Sequence, residues 1–459
     1  MMRSMFSGVS GLRAHQTRMD VIGNNIANVN TVGFKSGRVT FQEVFSQTLK
    51  GAGAPDQATG RGGSNPMQVG LGLGVGAVDT ITTRGSLQRT DNPTDLSIEG
   101  EGFFIVKGGN ADTYRFTRAG NFGVDKLGNL VTGDGMNVMG WQDYTTATDG
   151  TVTFDTEKQL EAINLYTGGP VKNKRMIAAK KTENIVLAGN LDASKAALGA
   201  TIASGVAAVP GVNPHFSIPV TVYDELGNDY KININMYKVY ASGAATSTAT
   251  GSNVWYYTVN GSTTPAAAST KTGYLEFDDS GTLIPNSTVT ATASAVTTMD
   301  LTPATSIGTK PFTVTLDFTK LTMYNADSSA KPTNVDGYPT GNLVTFNIGS
   351  DGVLTGIYSN GQQQPLGMVA LASFENPAGL QKVGNNMYIP TTNSGDFKKG
   401  LKAGSEGVGT MNPGTLEMSN VDLSKEFTDM IVTQRGFQAN SRIITTSDEM
   451  LQELVNLKR

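Results

Sequence analysis

Apolar residues recur every seven positions at the two ends of this 459-residue chain. Such a repeat places the side chains along one face of an α-helix, as in the seam of a coiled coil. The first repeat is Met5, Leu12, Met19 and Ile26, with Ile22 and Val29 beside it. The second is Leu423, Met430, Phe437, Ile444 and Leu451, with Phe427 and Val455 beside it. The sequence therefore predicts one long amphipathic helix at each terminus.

The positions of these helices limit what they can pack against. Ser419, Asn420 and Asp422 precede the second helix as possible N-caps, and no proline follows Pro413. Amphipathic helices usually pack on the core of their own domain, but these two lie at opposite ends of a long β-type sequence. We therefore expect them to pair with each other and with other copies of the chain, and to become ordered on assembly.

The middle of the chain has the composition of short strands joined by turns. It is rich in Thr, Ser and Asn, and the chain contains 55 glycines. Apolar residues alternate at Phe216, Ile218, Val220 and Val222, and again at Val314, Leu316 and Phe318. The fold class predicted is mainly β with α-helical termini. The helices pair as a coiled-coil-like inner domain, followed outward by two or more β-rich domains.

An Asp-x-x-Gly turn recurs between these strands, at residues 125–128, 224–227 and 278–281. The Asp side chain can bond the local backbone and the Gly can take a positive φ, so hairpin turns are predicted. A calcium loop is the alternative, but it needs carboxylates at alternate positions and a closing Glu. Segments 241–251, 262–272 and 286–298 are rich in Ala, Ser, Thr and Gly and are predicted to be exposed loops or weak edge strands.

Composition excludes several classes of function. Lys plus Arg number 35 against 39 Asp plus Glu, with no basic run, so nucleic acid is not an expected partner. The chain has no Cys, and its two histidines are far apart, which predicts no disulfide and no metal site. His15 is interpreted as a polar face residue of the first helix, and His215 as a residue at a strand entrance. Residues 1–12 lack the apolar core of a secretory signal, so composition alone suggests a soluble cytoplasmic protein unless export uses another route.

No segment predicts catalysis. The glycines at 70–76 loosely fit a dinucleotide fingerprint, but a strand and turn follow them where that motif requires a helix N-terminus. The sequence contains neither a Gly-x-Ser-x-Gly elbow nor a Walker lysine. We therefore predict that the protein is not an enzyme and that it binds neither a cofactor nor a small-molecule substrate.

The segment after the first helix carries a family resemblance. Residues 24–35 read NNIANVNTVGFK and closely resemble the signature of flagellar rod and hook proteins. Physically, Asn and Gly tolerate left-handed backbone conformations, so this stretch can end the helix and turn the chain, with Phe34 as an anchor. Further blocks are similar to the same family, at residues 86–90, 100–104, 117–122, 128–132, 414–423, 434–441 and 450–452.

The resemblance implies a structural subunit of the flagellar hook, a curved tube that transmits motor torque, because rod subunits lack so large a central insertion. It implies the following signature positions: Asn24, Asn25, Ile26, Ala27, Asn28, Thr31, Gly33, Phe34, Lys35, Gln434 and Asn440. It also implies a polymerisation interface formed by apolar residues of the two helices: Met5, Leu12, Met19, Ile22, Ile26, Leu423, Phe427, Met430, Phe437, Ile444, Leu451 and Val455. A distal rod or other axial component is the alternative. Two alternatives come from other classes of protein. One is a membrane-active surface protein, suggested by Arg3, Arg13 and Arg18 beside the apolar face of the first helix. The other is a cell-wall enzyme.

The resemblance also implies a domain order and a set of partners. The expected domains are an inner-tube domain (1–30, 418–459), a linking region (31–71, 406–417), a middle β domain (72–169, 336–405) and an outer β domain (170–335). The expected partners are other copies of the chain, the distal rod, hook cap and hook–filament junction proteins, and the flagellar export apparatus. The expected location is the extracellular hook, reached without a cleaved signal peptide.

Overall fold

Helices form at both termini, as the heptad repeats predict, with α1 at Met2–Ala27 and α2 at Leu423–Asn456. The computed structural model describes residues 2–55, 60, 62–108, 113–147, 150–170, 172–201, 213–240, 253–261, 266–268, 271–285, 295–303 and 310–457. Asp422 is the N-cap of α2, and its Oδ1 accepts hydrogen bonds from the backbone N of Ser424 (2.9 Å) and Lys425 (3.3 Å). Asn420 instead accepts a bond from the backbone N of Ser36 (2.8 Å).

The chain divides into two compact units. The helix-bearing unit comprises Met1–Lys174, Phe346–Gly356 and Gln364–Arg459, and the sandwich unit comprises Arg175–Thr345 and Ile357–Gln363. The strands up to residue 174 are β1 (Gly37–Glu43), β2 (Ser46–Lys50), β3 (Met67–Gly70), β4 (Leu73–Thr80), β5 (Leu87–Arg89), β6 (Leu96–Glu99), β7 (Phe103–Lys107), β8 (Tyr114–Thr117), β9 (Phe122–Val124), β10 (Leu130–Thr132), β11 (Asn137–Trp141), β12 (Tyr144–Thr146), β13 (Val152–Phe154) and β14 (Glu161–Ala162).

The sandwich unit follows in the chain. Its strands are β15 (Met176–Ile177), β16 (Asn184–Asp192), β17 (Leu198–Thr201), β18 (Phe216–Tyr223), β19 (Asp229–Tyr240), β20 (Val254–Gly261), β21 (Ala266–Ala268), β22 (Lys271–Glu276), β23 (Val296–Pro303), β24 (Phe312–Tyr324) and β25 (Lys331–Val335). The remaining strands are β26 (Gly341–Ile348), β27 (Val353–Tyr358), β28 (Gln363–Ala372), β29 (Gln381–Lys382), β30 (Met387–Ile389), β31 (Leu401–Lys402), β32 (Thr410–Pro413) and β33 (Thr415–Glu417). The residues of β26, β27 and β28 are divided between the units, and a 3₁₀ turn spans Pro377–Gly379.

The main sheet of the helix-bearing unit has the order β28-β11-β7-β8-β30-β29. Its strands bury a core that includes Phe103, Phe116, Trp141 and Met368. One long hairpin follows α1, in which β1 pairs with β4 near its base and β2 pairs with β3 further along. Strands β5 and β6 pair with β33 and β32, so the chain leaving α1 and the chain approaching α2 are joined by backbone hydrogen bonds.

The sandwich unit contains two sheets, with orders β21-β23-β24-β16-β25 and β17-β19-β20-β22, and with β18 paired to β19. Leu187 and Leu316 of the first sheet share one core with Ile234 and Trp255 of the second, which is the arrangement of a β-sandwich. The two predicted alternating runs are confirmed: Ile218, Val220 and Val222 are buried with the half-buried Phe216 packed against the same core, and Val314, Leu316 and Phe318 are buried too.

The three Asp-x-x-Gly segments are tight turns, as predicted. Gly128, Gly227 and Gly281 all have positive φ, at 92°, 87° and 79°. In the first turn Asp125 Oδ1 accepts bonds from the backbone N of Leu127 and Asn129. The carboxylate therefore serves the local backbone, which favours the turn over the calcium loop. Of the Ala/Ser/Thr-rich segments, 241–251, 262–265 and 286–294 lie outside the described residues, whereas Lys271–Glu276 and Val296–Pro303 are strands.

Candidate functional site

The terminal helices pair side by side in antiparallel orientation. The Ser4 and Ser447 hydroxyls lie 3.4 Å apart near one end of the contact. Towards the other end, Arg18 Nη2 donates to Asp429 Oδ1 at 2.9 Å, and Asn25 Nδ2 donates to Glu426 Oε1 at 3.2 Å. Burial raises the pKa of Glu426, an effect that the Asn25 hydrogen bond opposes.

Small residues let the two helix backbones approach closely. A Cβ added to Gly8 would lie 3.4 Å from the Asn440 carbonyl oxygen, and one added to Gly11 would lie 2.7 Å from the Asn440 amide nitrogen. On α2, a Cβ at Gly436 would lie 2.8 Å from the His15 ring. The helix contact therefore has no room for a larger side chain at these glycines.

His15 fills the space that Gly436 leaves. Its ring is half-buried and meets Phe41 of β1 edge-on, with ring centroids 5.6 Å apart. Burial, together with the neighbouring Arg18 charge, lowers the pKa of His15. The His15 ring therefore packs against Gly436 and Phe41, contacts that its interpretation as a polar face residue did not include.

The predicted interface residues differ in burial, and one of them, Ile444, lies in the helix contact, where its Cγ1 is 3.3 Å from the position of a Cβ on Gly8. Ile22 is buried. The half-buried ones are Met5, Leu12, Met19, Ile26, Met430, Phe437, Ile444 and Leu451. Leu423, Phe427 and Val455 are exposed. A single chain cannot test whether these side chains bind other copies, so the interface stays a prediction.

Other large apolar side chains on the helices are exposed, and the heptad analysis did not include them. They are Met2, Phe6 and Val9 on α1, and Ile431, Val432, Ile443, Met450 and Leu454 on α2, with Leu457 as its C-cap. The signal that could have found the α1 group is its i, i+4, i+7 spacing, which places its members on one helix face.

The signature segment connects α1 to the β strands through side-chain bonds to the backbone. Asn25 is buried: its Oδ1 accepts from Gly37 N and its Nδ2 donates to Gly37 O, each at 2.9 Å. Asn28 Nδ2 donates to the Asn24 carbonyl at 2.9 Å, and Thr31 Oγ1 donates to Asn28 Oδ1 at 3.1 Å. These bonds satisfy carbonyl and amide groups where the helix ends.

Gly33 lies at the tightest point of this segment. Its φ is +68°, and a Cβ there would lie 2.7 Å from the backbone N of Ala119. Its own N–H donates to the Glu417 carbonyl at 2.7 Å. The next residue, Phe34, has the Lys382 ammonium 5.1 Å from its ring centroid, an arrangement that suits the predicted anchor role.

Two cations and one carboxylate form a buried cluster behind Gly33. Lys35 Nζ donates to Glu417 Oε1 at 2.6 Å and to the Thr83 carbonyl at 2.9 Å. Arg118 Nη1 donates to Glu417 Oε2 at 3.3 Å. The three side chains are 3%, 2% and 0% exposed for Lys35, Arg118 and Glu417. Burial lowers the pKa of Lys35, and the Glu417 charge partly offsets this effect.

Other signature positions differ in their surroundings. Ile26 is half-buried and Ala27 is exposed on the last turn of α1. On α2, Gln434 is exposed, whereas Asn440 packs against Gly11 and donates to the Gly436 carbonyl at 3.0 Å. Sequence reasoning missed Glu417 and Arg118, although both lie inside blocks that resemble the family.

Neither a metal centre nor a membrane helix is found in the part of the chain that the structure describes. No three His, Asp or Glu side chains are grouped there to hold a metal ion. Neither of its long helices has the length and apolarity to cross a bilayer. That the chain is not an enzyme stays a prediction.

Four flagellar protein families match separate parts of the chain. They are described as flagella basal body rod protein (residues 5–35), flagellar hook protein FlgE/F/G D1 domain (97–172), flagellar basal body protein FlaE D2 domain (212–338) and flagellar basal body rod FlgEFG protein C-terminal (412–457). The first and last of these cover α1 with its signature and α2 with its approach. The terminal helix pair and its junction are therefore the parts that resemble flagellar axial proteins in general.

Relatives match over their full lengths. The flagellar hook proteins FlgE of Borreliella burgdorferi and Treponema pallidum are each 40% identical, covering 100% of both chains. That of Salmonella typhimurium is 33% identical and covers 99% of this chain and 100% of its own. The chain is thus a component of the bacterial flagellum, contrary to the cytoplasmic location that composition alone suggests. With this identity over its whole length, including the large central insertion, the chain belongs to the flagellar hook protein family.

Proposed function

We propose that this hook subunit self-assembles into a curved helical tube that acts as a universal joint between rod and filament. One observation carries the proposal: the terminal helices pair with each other and still leave large apolar side chains exposed. Phe6 is 66% exposed on α1, on one face with Met2 and Val9, and Ile431 is 58% exposed on α2, next to Val432. Soluble monomers rarely expose apolar groups of this size together, and such surfaces mark interaction sites.

In the polymer, neighbouring copies of the chain bury these exposed side chains. Burying each of these side chains contributes roughly 1.5–3 kcal/mol, so several per subunit provide a driving force that repeats along a polymer. The half-buried Met5, Leu12 and Met19 and the exposed Phe427 lie where a neighbouring helix could complete their burial. In this proposal the flanking heptad residues bind other copies, and the polar contact between α1 and α2 fixes the pair that polymerises.

The terminal helices and the outer β domains then have different mechanical roles in the tube. We keep the four-part domain order as part of the proposal, with the helix pair as the inner tube and residues 170–335 as the outermost β domain. A tightly packed helical core resists torsion. Weak contacts between outer β domains can exchange as a subunit passes from the inner to the outer side of the curve.

The same proposal covers location and partners. The subunit leaves the cell through the flagellar export apparatus without a cleaved signal peptide and joins the extracellular hook. It contacts the distal rod at one end, the hook–filament junction at the other, and the hook cap during growth. It has no catalytic role, because its contribution is mechanical.

Electron microscopy of the purified chain at rising concentration tests the proposal. We expect curved hollow filaments from the full chain. A chain ending at Asn420 lacks α2 and should form none, and Ile431→Asp, which leaves α2 in place, should shift assembly to higher concentration. A full chain that remains monomeric at all concentrations contradicts self-assembly and favours a component that needs a template.

A further inference from the structure

A crossover segment, residues 192–198, joins the two sheets of the sandwich unit. It runs from Asp192, the last residue of β16 in the first sheet, to Leu198, the first residue of β17 in the second. A turn shapes its start, where Asp192 Oδ1 accepts bonds from the backbone N and the hydroxyl of Ser194, at 2.8 and 2.6 Å. At its other end β17 pairs with the C-terminal part of β19. The attachment of the crossover to β19 therefore helps to link the two sheets.

Lys238 and His215 fasten this crossover to β19. Lys238 is a buried residue of β19, and its Nζ donates to the Ala193 carbonyl. Its backbone N–H donates to Nδ1 of His215 at 3.1 Å. His215 lies one residue before β18, the strand-entrance position that the sequence predicts, and its half-buried ring also shares a hydrogen bond with the Ala196 backbone. The imidazole therefore bridges the crossover and the backbone of β19.

The hydrogen bond from Lys238 fixes the protonation state of the His215 ring. A backbone N–H can only donate, so Nδ1 is unprotonated and the ring proton lies on Nε2. An imidazolium carries an N–H on both nitrogens, and its Nδ1–H would face the Lys238 N–H. Two donors that face each other cannot bond, so a second proton on the ring breaks this contact.

The charges around His215 also oppose its protonation. Burial is the largest cause that lowers the pKa of His215; the positive charges of Lys195 and Lys238 add to this effect, and the hydrogen bond to the crossover opposes it. The Asp192 carboxylate faces the two cations, since it lies 3.4 Å from Lys195 Nζ and acts on the charge of Lys238. On β20 the ring meets the uncharged Trp255 edge-on, with centroids 6.0 Å apart. The fold therefore favours the neutral ring.

We propose that His215 is an acid-released latch: its neutral ring holds the crossover against β19, and a proton on Nδ1 frees the crossover while the apolar core shared by the two sheets stays intact. In the unfolded chain this histidine takes up its proton near pH 6.5, and in the folded chain only at lower pH. The sandwich unit therefore loses stability as the pH falls through this window. The latch acts within one chain and does not depend on polymerisation.

The wild-type chain allows a direct titration, because His15 and His215 are its only histidines. In dilute protein labelled with ¹³C and ¹⁵N at histidine, NMR should show His215 as the Nε2-protonated tautomer near neutral pH. On acidification its ring should titrate with a midpoint below 6.5. Amide exchange of residues 192–198, corrected for its intrinsic pH dependence, should rise at least about fivefold over the same range. A ring protonated on Nδ1 near neutral pH, a midpoint at or above 6.5, or constant exchange would each contradict the latch.

Matched variants separate the latch from general effects of acid. His215→Gln keeps a neutral acceptor oxygen and cannot titrate in this range, so its amide exchange in residues 192–198 should not change with pH. His15→Gln removes the histidine of α1 and should keep the wild-type response. Lys195→Gln removes a cation beside the ring and should move the His215 midpoint upward, because less repulsion opposes the proton. A response that persists in His215→Gln, or that is lost in His15→Gln, would assign it to another group and overturn the proposal.

Discussion

Gly33 shows how a single residue fixes the turn after α1. Its φ of +68° costs a residue with a Cβ about 1–2 kcal/mol, and the Cβ would also meet the Ala119 backbone at 2.7 Å. Because backbone atoms cannot move aside as a flexible side chain can, the two penalties add. The signature therefore requires glycine here for conformation and for space.

We expect Gly33→Ala to lower the free energy of unfolding by about 2–4 kcal/mol. The control is Gly135→Ala, at a glycine with φ of +79° and no neighbour within 4 Å, which should cost only about 1 kcal/mol. Urea unfolding followed by Trp141 fluorescence, in a Trp255→Phe background, measures both. Equal losses would show that the close approach to Ala119 contributes nothing.

The buried cluster around Glu417 supports a second prediction. Lys35→Met leaves Glu417 with Arg118 as its remaining charged partner, and breaking a buried ion pair costs about 3 kcal/mol. Arg38→Met removes an exposed pair with Asp79, in which the side chains are 62% and 42% exposed, and should cost at most about 1 kcal/mol. The same urea unfolding measurement compares the two variants, and a loss for Lys35→Met no larger than that for Arg38→Met would contradict a stabilising role.

The sequence predicted the elements better than their contacts. Heptad spacing located both helices, and alternation located the strands of the sandwich, because those patterns are local. The α1–α2 contact uses Gly8, Gly11 and Gly436, which an apolar repeat does not detect since glycine has no side chain. Likewise, Lys35 and Glu417 are 382 residues apart, and local patterns carry no information about such pairs.

A prediction at the element scale concerns the separation of the helices. Gly11→Leu forces a large side chain into the Asn440 amide and should cost about 1–3 kcal/mol by overpacking. Gly23→Leu is the matched control on the same helix, where nothing lies within 4 Å, and should stabilise α1 slightly because leucine favours helices more than glycine does. Thermal unfolding followed at 222 nm by circular dichroism should show opposite shifts, and a neutral Gly11→Leu would contradict the close contact.

At the scale of the whole molecule, the sandwich unit has a core of its own. The buried residues of that core lie between Ile185 and Ala330, with Val335 packed against them, inside one continuous stretch of chain. Just outside this stretch, Lys180 and Tyr338 form an isolated antiparallel bridge, with N–H···O bonds of 3.0 Å in one direction and 3.1 Å in the other. The two ends of the stretch therefore meet, as at the base of an inserted domain.

Because these two ends meet, a deletion of the sandwich unit can test whether the helices and the outer β domains have different mechanical roles. Removing residues 181–337 and joining Lys180 to Tyr338 through a short Gly-Ser turn takes out the whole sandwich core without cutting a strand of the helix-bearing unit. Because the terminal helices remain, we expect electron microscopy to show filaments that are straighter than those of the full chain. The purified variant should also lose the unfolding transition of the sandwich unit, since the core of that unit is gone. Filaments that keep the wild-type curvature would mean that the helix-bearing unit sets the bend, whereas loss of all filaments from a variant that still folds would place polymer contacts in the sandwich unit.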